Sequence, residues 1–359
     1  MSDGTSSGSH SPVAEEEDDE PAHEDHQGSD KIPSIPWPRL EDDNDDSALG
    51  DDLQMSTASA SSSIFHYRIL NGRTYYSERF GEDRYWSPND ERQSEAMDMI
   101  HSFLRLCLDG KLHLAPIEDN VQKILDIGTG TGIWAVDMAK NYAGCTFIVT
   151  DLSPIQPEYM PPNVIIEIDD AELLWTWHPS SFDFVHIRYL IGAISDWPKL
   201  FRQAYAALKP GGWIESYEPE AEYHSDDGTL EPDSAMVRWQ RLFKEAGKKT
   251  GRPFTMISDN ITSDGIRDAG FVDIHTVDYK IPIGSWPEDP KLKEIGKRAE
   301  ETFLADLEGY AQFAWNTVLG MPMTEMHIFL MEYRQEIRNP AIHTWLPQRL
   351  IYARKPVMA

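Results

Sequence analysis

Cysteine is scarce in this chain: Cys107 and Cys145 are the whole complement in 359 residues. A disulfide framework is not expected, and a reducing compartment fits. Cys145, at the start of an apolar run, reads as a core residue. No apolar run approaches the 18 residues of a membrane span, and no secretory signal opens the chain. The expected location is cytoplasmic, nuclear or both, with no membrane partner. Basic residues are also in deficit. Lys and Arg number 32 against 61 Asp and Glu, a net charge of −29, which disfavours direct binding to a nucleic-acid backbone.

The charge is unevenly spread. Residues 1–53 hold 17 acids and 2 bases, or −15 of the −29. Their single aromatic is Trp37, set among Ser, Gly and Pro clusters. Such a segment buries too little apolar surface to offset its ordering entropy, so residues 1–60 are expected to be a disordered acidic tail. Its alternative use is docking a basic, regulatory protein partner. Within it, the run from Ile32 to Pro38 reads either as a recognition element in polyproline conformation or as a linker. Residues 61–359 read as one domain, with a helical cap over about 61–118 and a helical insertion over about 282–340.

The chemistry is concentrated at Lys123-Ile-Leu-Asp126-Ile-Gly128-Thr129-Gly130-Thr-Gly132. An apolar run reads as a buried strand, three alternate glycines as a turn, and Ile133–Ala139 as a helix. A strand–glycine turn–helix unit is where open α/β sheets bind nucleotide-like ligands. The dinucleotide fingerprint is missing its third glycine, because Ile133 occupies that position. No Gly-Lys-Ser/Thr follows, so a phosphate-cradling loop is disfavoured too. Asp126 would repel a pyrophosphate and suits a cation. S-adenosylmethionine carries an ammonium and a sulfonium and no phosphate, and Asp126 can act on the ammonium directly, through water or through the turn. The pattern resembles motif I of the class I S-adenosylmethionine-dependent methyltransferases.

Later segments continue that resemblance in order. Thr146–Asp151 is a strand ending in an acid, and Asp151, followed by Leu152, can accept both ribose hydroxyls. Ile165–Asp169 is a third strand; the Asp170-Ala171 pair after it sits, in the methyltransferase pattern, by the adenine amino group. Ser181–Arg188 is a fourth strand carrying His186 near its end. Leu-Lys-Pro-Gly-Gly at 208–212 leads into a fifth. Residues 271–280 form a sixth strand and residues 348–354 a seventh, expected antiparallel at the sheet edge. Helices are expected over 91–108, 234–246, 258–269, 291–319 and 324–338.

The expected cofactor residues are therefore Asp126, Gly128, Thr129, Gly130, Gly132, Asp151, Leu152, Asp170, Ala171 and His186. Candidates for a general base are His186, Glu215, Glu218 and His224, each with a structural alternative as a core, rim or loop residue; no catalytic residue is assigned. Glu167, Asp169, Asp170 and Glu172 match no metal-ligand spacing, and no metal is expected. The end of the fourth strand lacks the Asn/Asp-Pro-Pro-Tyr/Phe/Trp tetrapeptide, the usual signal for amino-group methylation of bases or glutamine. Trp175, Trp177, Trp197 and Trp213 read as structural or as the wall of an aromatic acceptor pocket.

Gly72-Arg-Thr-Tyr-Tyr76, Tyr85-Trp-Ser-Pro-Asn-Asp90 and Leu108–Pro116 resemble the N-terminal part of the LaeA-like methyltransferases of filamentous fungi, and Ile283–Gly296 and Tyr352–Pro356 their C-terminal part. The likeness spans about residues 65–356. It implies an α/β, Rossmann-like doubly wound, seven-stranded fold, S-adenosylmethionine as cofactor and a link to secondary metabolism. It leaves open a small-molecule or protein methyl acceptor, a regulatory subunit of a nuclear complex that binds the cofactor, and recruitment to other chemistry such as cyclisation.

Overall fold

The computed structural model describes residues 63–81 and 84–357; the expectations for residues 1–60, including the run from Ile32 to Pro38, lie outside them. Alternating apolar runs build a seven-stranded sheet from β3 (Lys123–Ile127), β4 (Thr146–Asp151), β5 (Val164–Ile168), β6 (Phe182–Arg188), β7 (Leu208–Pro219), β8 (Val272–Ile283) and β9 (Thr344–Arg354). The spatial order is β5-β4-β3-β6-β7-β9-β8. β3 to β7 pair in parallel, and β9 runs antiparallel to β7 and β8. The chain moves outward from β3 to β5, then returns to place β6 on the other side of β3. That switch point opens a crevice at the strands' carboxyl ends.

The doubly wound expectation holds, with one correction. The seventh strand does not lie at the edge: β9 inserts between β7 and β8, and β8 takes the edge. The reason is visible in burial. Leu346, Gln348, Leu350, Ile351 and Ala353 of β9 are buried, whereas β8 exposes Val272, Asp273, Asp278 and Lys280. Charged side chains protect an edge from stray pairing.

Side-chain alternation divides the core between the two sheet faces. Ile124, Phe147, Val149 and Phe184 pack with Trp134 and Met138 on one side; Leu125, Ile127, Ile148, Val185 and Ile187 join the larger cluster on the other. The helices are α1 (Glu91–Cys107), α2 (Ile133–Asn141), α3 (Trp197–Ala207), α4 (Ala235–Thr250), α5 (Ile261–Asp268), α6 (Pro290–Ala305), α7 (Leu307–Gln312) and α8 (Met323–Ile337), with a π-helical turn at Phe313–Val318.

Two segments depart from the helical reading. Ahead of α1 stands a hairpin, β1 (Tyr67–Leu70) and β2 (Arg73–Ser77). Its turn is Asn71-Gly72, with φ of 47° and 80°, the dipeptide that two-residue hairpins favour. The helix expected over 291–319 breaks at Asp306, which leaves helical geometry (φ −135°, ψ 44°). Its fully buried carboxylate then accepts from the Gly309 N–H at 3.2 Å and from Arg73 Nη1 and Nη2 at 2.8 and 2.7 Å. Arg73 also binds Asp90, the N-cap of α1. One ionic cluster thus fastens hairpin, α1 and insertion together over the crevice.

Candidate active site

The glycine turn leaves β3 in left-handed backbone. Gly128 and Gly130 have φ of 67° and 60°, which other residues rarely adopt. A Cβ on Gly128 would stand 2.3 Å from Leu190 Cδ2, and one on Gly130 would meet Met97 sulfur at 3.0 Å. Neighbouring acids hold the turn: Gly130 N–H donates to Asp151 Oδ2 at 2.8 Å, and Ser153 N–H donates to Asp151 Oδ1 at 3.0 Å. Enclosure pushes the Asp151 pKa up to about 6, partly offset by those amide donors.

Asp126 and His186 stand opposite each other in the β3–β6 register. His186 Nδ1 lies 2.7 Å from Asp126 Oδ1, and both residues are buried. Thr129 Oγ1 donates to Asp126 Oδ2 at 2.6 Å. The His186 ring lies flat on Trp134, centroids 3.6 Å apart and planes 3° off parallel. Trp134 is itself fixed by donating to the Leu112 carbonyl at 2.8 Å. Burial lowers the His186 pKa although Asp126 opposes it. The ring is therefore neutral at neutral pH, with Nδ1–H committed to the carboxylate.

These residues line one cavity. Asp126, Gly128, Thr129, Gly130, Asp151, Leu152, Asp170, Ala171 and His186 stand on its wall; Gly132, at the start of α2, does not. Asp170 is held by the Glu172 N–H at 2.9 Å and faces Arg84 Nε at 3.4 Å. Beyond the turn the cavity becomes an aromatic chamber. Trp86 meets Phe243 and Phe254 edge-on at 5.7 and 5.6 Å, and donates Nε1–H to the Ile191 carbonyl at 2.9 Å. Tyr189, Tyr223, Trp239 and Tyr310 complete that wall.

Three of the four base candidates are elsewhere. Glu215 Oε2 accepts from the Leu114 and Ala115 N–H groups, both at 2.7 Å. Glu218 accepts from Leu190 and Ile191 N–H at 3.1 and 2.9 Å. Both are buried, and neither faces the cavity. Burial pushes their pKa values up to about 7 and about 8. They secure loops around the crevice. His224 stacks on Trp345, away from the cavity. Trp175, Trp177, Trp197 and Trp213 are also off its wall.

Residues 98–275 match the family described as a methyltransferase domain. The chain is 41% identical over 320 residues to methyltransferase pytC of Aspergillus terreus, covering 89% of this chain and 96% of that protein. It is 36% identical over 292 residues to the secondary metabolism regulator LAE1 of Cochliobolus heterostrophus, covering 80% and 94%. The chain belongs to the LaeA-like methyltransferases. This LaeA-like protein is accordingly an S-adenosylmethionine-dependent methyltransferase of fungal secondary metabolism. Among solved structures, it is similar to Haemonchus contortus phosphoethanolamine N-methyltransferase 2, with a TM-score of 0.42, 22% identity, and coverage of 78% of this chain and 56% of that one.

Several wall residues of this LaeA-like enzyme have no signal along the chain that marks them for a site: Tyr85, Trp86, Asn89 and Gln93 before and within α1, Arg188 and Tyr189 at the end of β6, and Trp239 and Phe243 on α4, whose i, i+4 spacing marks only a buried helix face. The first three belong to the Tyr85–Asp90 stretch, whose resemblance to the family was the available pointer.

Proposed function

We propose that the enzyme methylates a small, flat, largely apolar acceptor seated in the aromatic chamber, with the cofactor along the glycine turn. The observation that carries this reading is the continuity of one cavity. It runs from Gly128–Thr131 and Asp151 to Trp86, Tyr223, Trp239, Phe243 and Phe254. Walls of this kind bury most of a small ligand and orient it with a few polar groups. The catalytic domain is taken to begin near residue 61, ahead of the hairpin.

The side chains fit the cofactor. Each Asp151 oxygen spends one lone pair on a backbone N–H and keeps acceptor capacity for a ribose hydroxyl. Leu152, Asp170 and Ala171 follow along the wall toward the adenine end. Elsewhere on the wall, Asn89 Oδ1 and Gln93 Oε1 are buried without a hydrogen-bond partner among the described residues, and such acceptors fit a ligand rich in hydroxyl and ammonium donors. Bound S-adenosylmethionine supplies an electrophilic methyl group and its own leaving group, so the protein's main work is orientation.

Of the four base candidates, His186 is the one on the cavity wall. Its Nδ1–H is committed to Asp126, and among the described residues Nε2 has no hydrogen-bond partner. In that tautomer, Nε2 accepts the proton that an acceptor hydroxyl releases. Asp126 holds the tautomer and Trp134 holds the ring plane.

The test is turnover of labelled cofactor by purified full-length protein with a metabolite extract, followed by mass spectrometry. A labelled small molecule is the expected product. Label confined to protein would overturn the acceptor reading, and cofactor binding without any labelled product would favour a regulatory subunit.

A further inference from the structure

We propose that Arg188 recognises the carboxylate at the methionine end of the cofactor and so orients that end; this rests on the cofactor reading above. Arg188 closes β6 and lines the cavity. The Ile127–Ile187 pairing brings it alongside Gly128, the first residue of the glycine turn.

Among the described residues, no carboxylate lies within ion-pair distance of its guanidinium. Its one hydrogen bond runs from Nη1 to His101 Nδ1 at 3.3 Å. His101 supplies no charge to offset it. Its Nε2 is 3.1 Å from Asp137 Oδ2, which leaves Nδ1 as an acceptor, and burial pushes its pKa down to about 4. Asp126 and Glu215 act on Arg188 from further off. Asp126 is already engaged by His186 and Thr129, and Glu215 by two backbone amides. The guanidinium fork therefore keeps most of its five N–H donors free, in the geometry that grips a carboxylate with two parallel hydrogen bonds.

Two features favour the cofactor over an anionic acceptor. First, Arg188 shares its corner with Asp126. A fixed cation and a fixed anion side by side complement a zwitterion carrying both a carboxylate and an ammonium; Asp126 would repel a simple anion. Second, among the described residues the rest of the wall is short of cations. The cavity's other arginine, Arg84, is bound to Glu172 at 2.9 Å and faces Asp170.

Calorimetry on the full-length protein tests the assignment with S-adenosylmethionine and its decarboxylated analogue, which keeps the ammonium and sulfonium. Wild type should prefer the intact cofactor by about ten-fold or more, the scale of a charge-assisted contact. Arg188→Gln should abolish that preference by weakening the intact cofactor alone. Arg188→Lys, which keeps the charge and loses the fork, should retain part of it and guards against a folding defect in the Gln variant. An unchanged preference in Arg188→Gln, or equal weakening of both ligands, would overturn the proposal. Wild-type protein that bound neither ligand would instead sink the cofactor reading beneath it.

Discussion

Asp151 and Gly130 are joined by a 2.8 Å hydrogen bond from the glycine N–H to the carboxylate. The group proposed to take the ribose also sets the shape of the turn. Asp151→Ala removes both functions, and S-adenosylmethionine should weaken about ten-fold or more. Titration calorimetry measures this. A cofactor analogue lacking the ribose hydroxyls should lose less affinity; equal loss for both would place the effect in the turn alone.

Gly130→Val should abolish cofactor binding while leaving the fold in place. At φ 60° a β-branched residue is strained by roughly 1–3 kcal/mol, and its branches would project at Met97 on the cavity wall. A circular dichroism spectrum like the parent's, with no binding heat, is the expected pair of results. Undiminished affinity would sink the assignment of this turn to the cofactor.

Glu215 gives a pH prediction. Burial raises its folded pKa from 4.5 to about 7, so between those values the folded state holds a proton that the unfolded chain has released. This contribution to stability is present at low pH and is lost as pH rises through about 7. In Glu215→Gln the amide oxygen can still accept from Leu114 and Ala115. The variant should show a flatter melting-temperature profile between about pH 5 and 7, and at pH 8 a gain on the order of 1–3 kcal/mol. A slope equal to wild type would mean that Glu215 is not the group titrating.

Asp306→Ala should destabilise the protein by about 3–5 kcal/mol, the range for breaking a buried ion pair and stranding its partner. Arg73 would keep Asp90 but lose both contacts to the insertion. Urea denaturation gives the number. A loss below about 1 kcal/mol would show that the cluster contributes little to holding the crevice roof.

A protein beginning near Ser61 should melt at the parent's temperature and bind cofactor equally well, because residues 1–60 are too acidic and too poor in apolar side chains to build a core, and among the described residues the cavity wall begins at Arg84. Any tail-dependent partner binding should weaken with salt, since it would join exposed charges. Reduced cofactor affinity in the truncated protein would give the tail a place at the site.

What could be read from the sequence follows physical range. β3, its glycine turn and the acids ending β4 and β5 are local patterns, and all but Gly132 of the expected cofactor residues reached the cavity wall. The position of β9 was not legible, because order within a sheet depends on which strand surfaces must be buried. The Asn71-Gly72 hairpin had a local signal that the helical reading overrode. Asp306 breaks a helix to satisfy Arg73, a demand invisible to any window along the chain. Glu215 and Glu218 resembled bases because strand-end acids beside a crevice serve either chemistry or loop fixation. Only the amides they meet, from residues up to 101 positions away, distinguish the two.

The Arg73–Asp306 pair spans 233 residues, and that interval has a meaning during synthesis. A ribosome adding roughly 5–20 residues per second makes Arg73 roughly 10–50 seconds before its partner exists. Throughout that wait Tyr75, fully covered in the finished protein and packed on Phe313 with ring centroids 5.9 Å apart, has no insertion to lie against. The nascent hairpin thus keeps an aromatic side chain uncovered until the insertion is made, and slow translation across residues 73–306 should lower the yield of active enzyme more than slow translation after them.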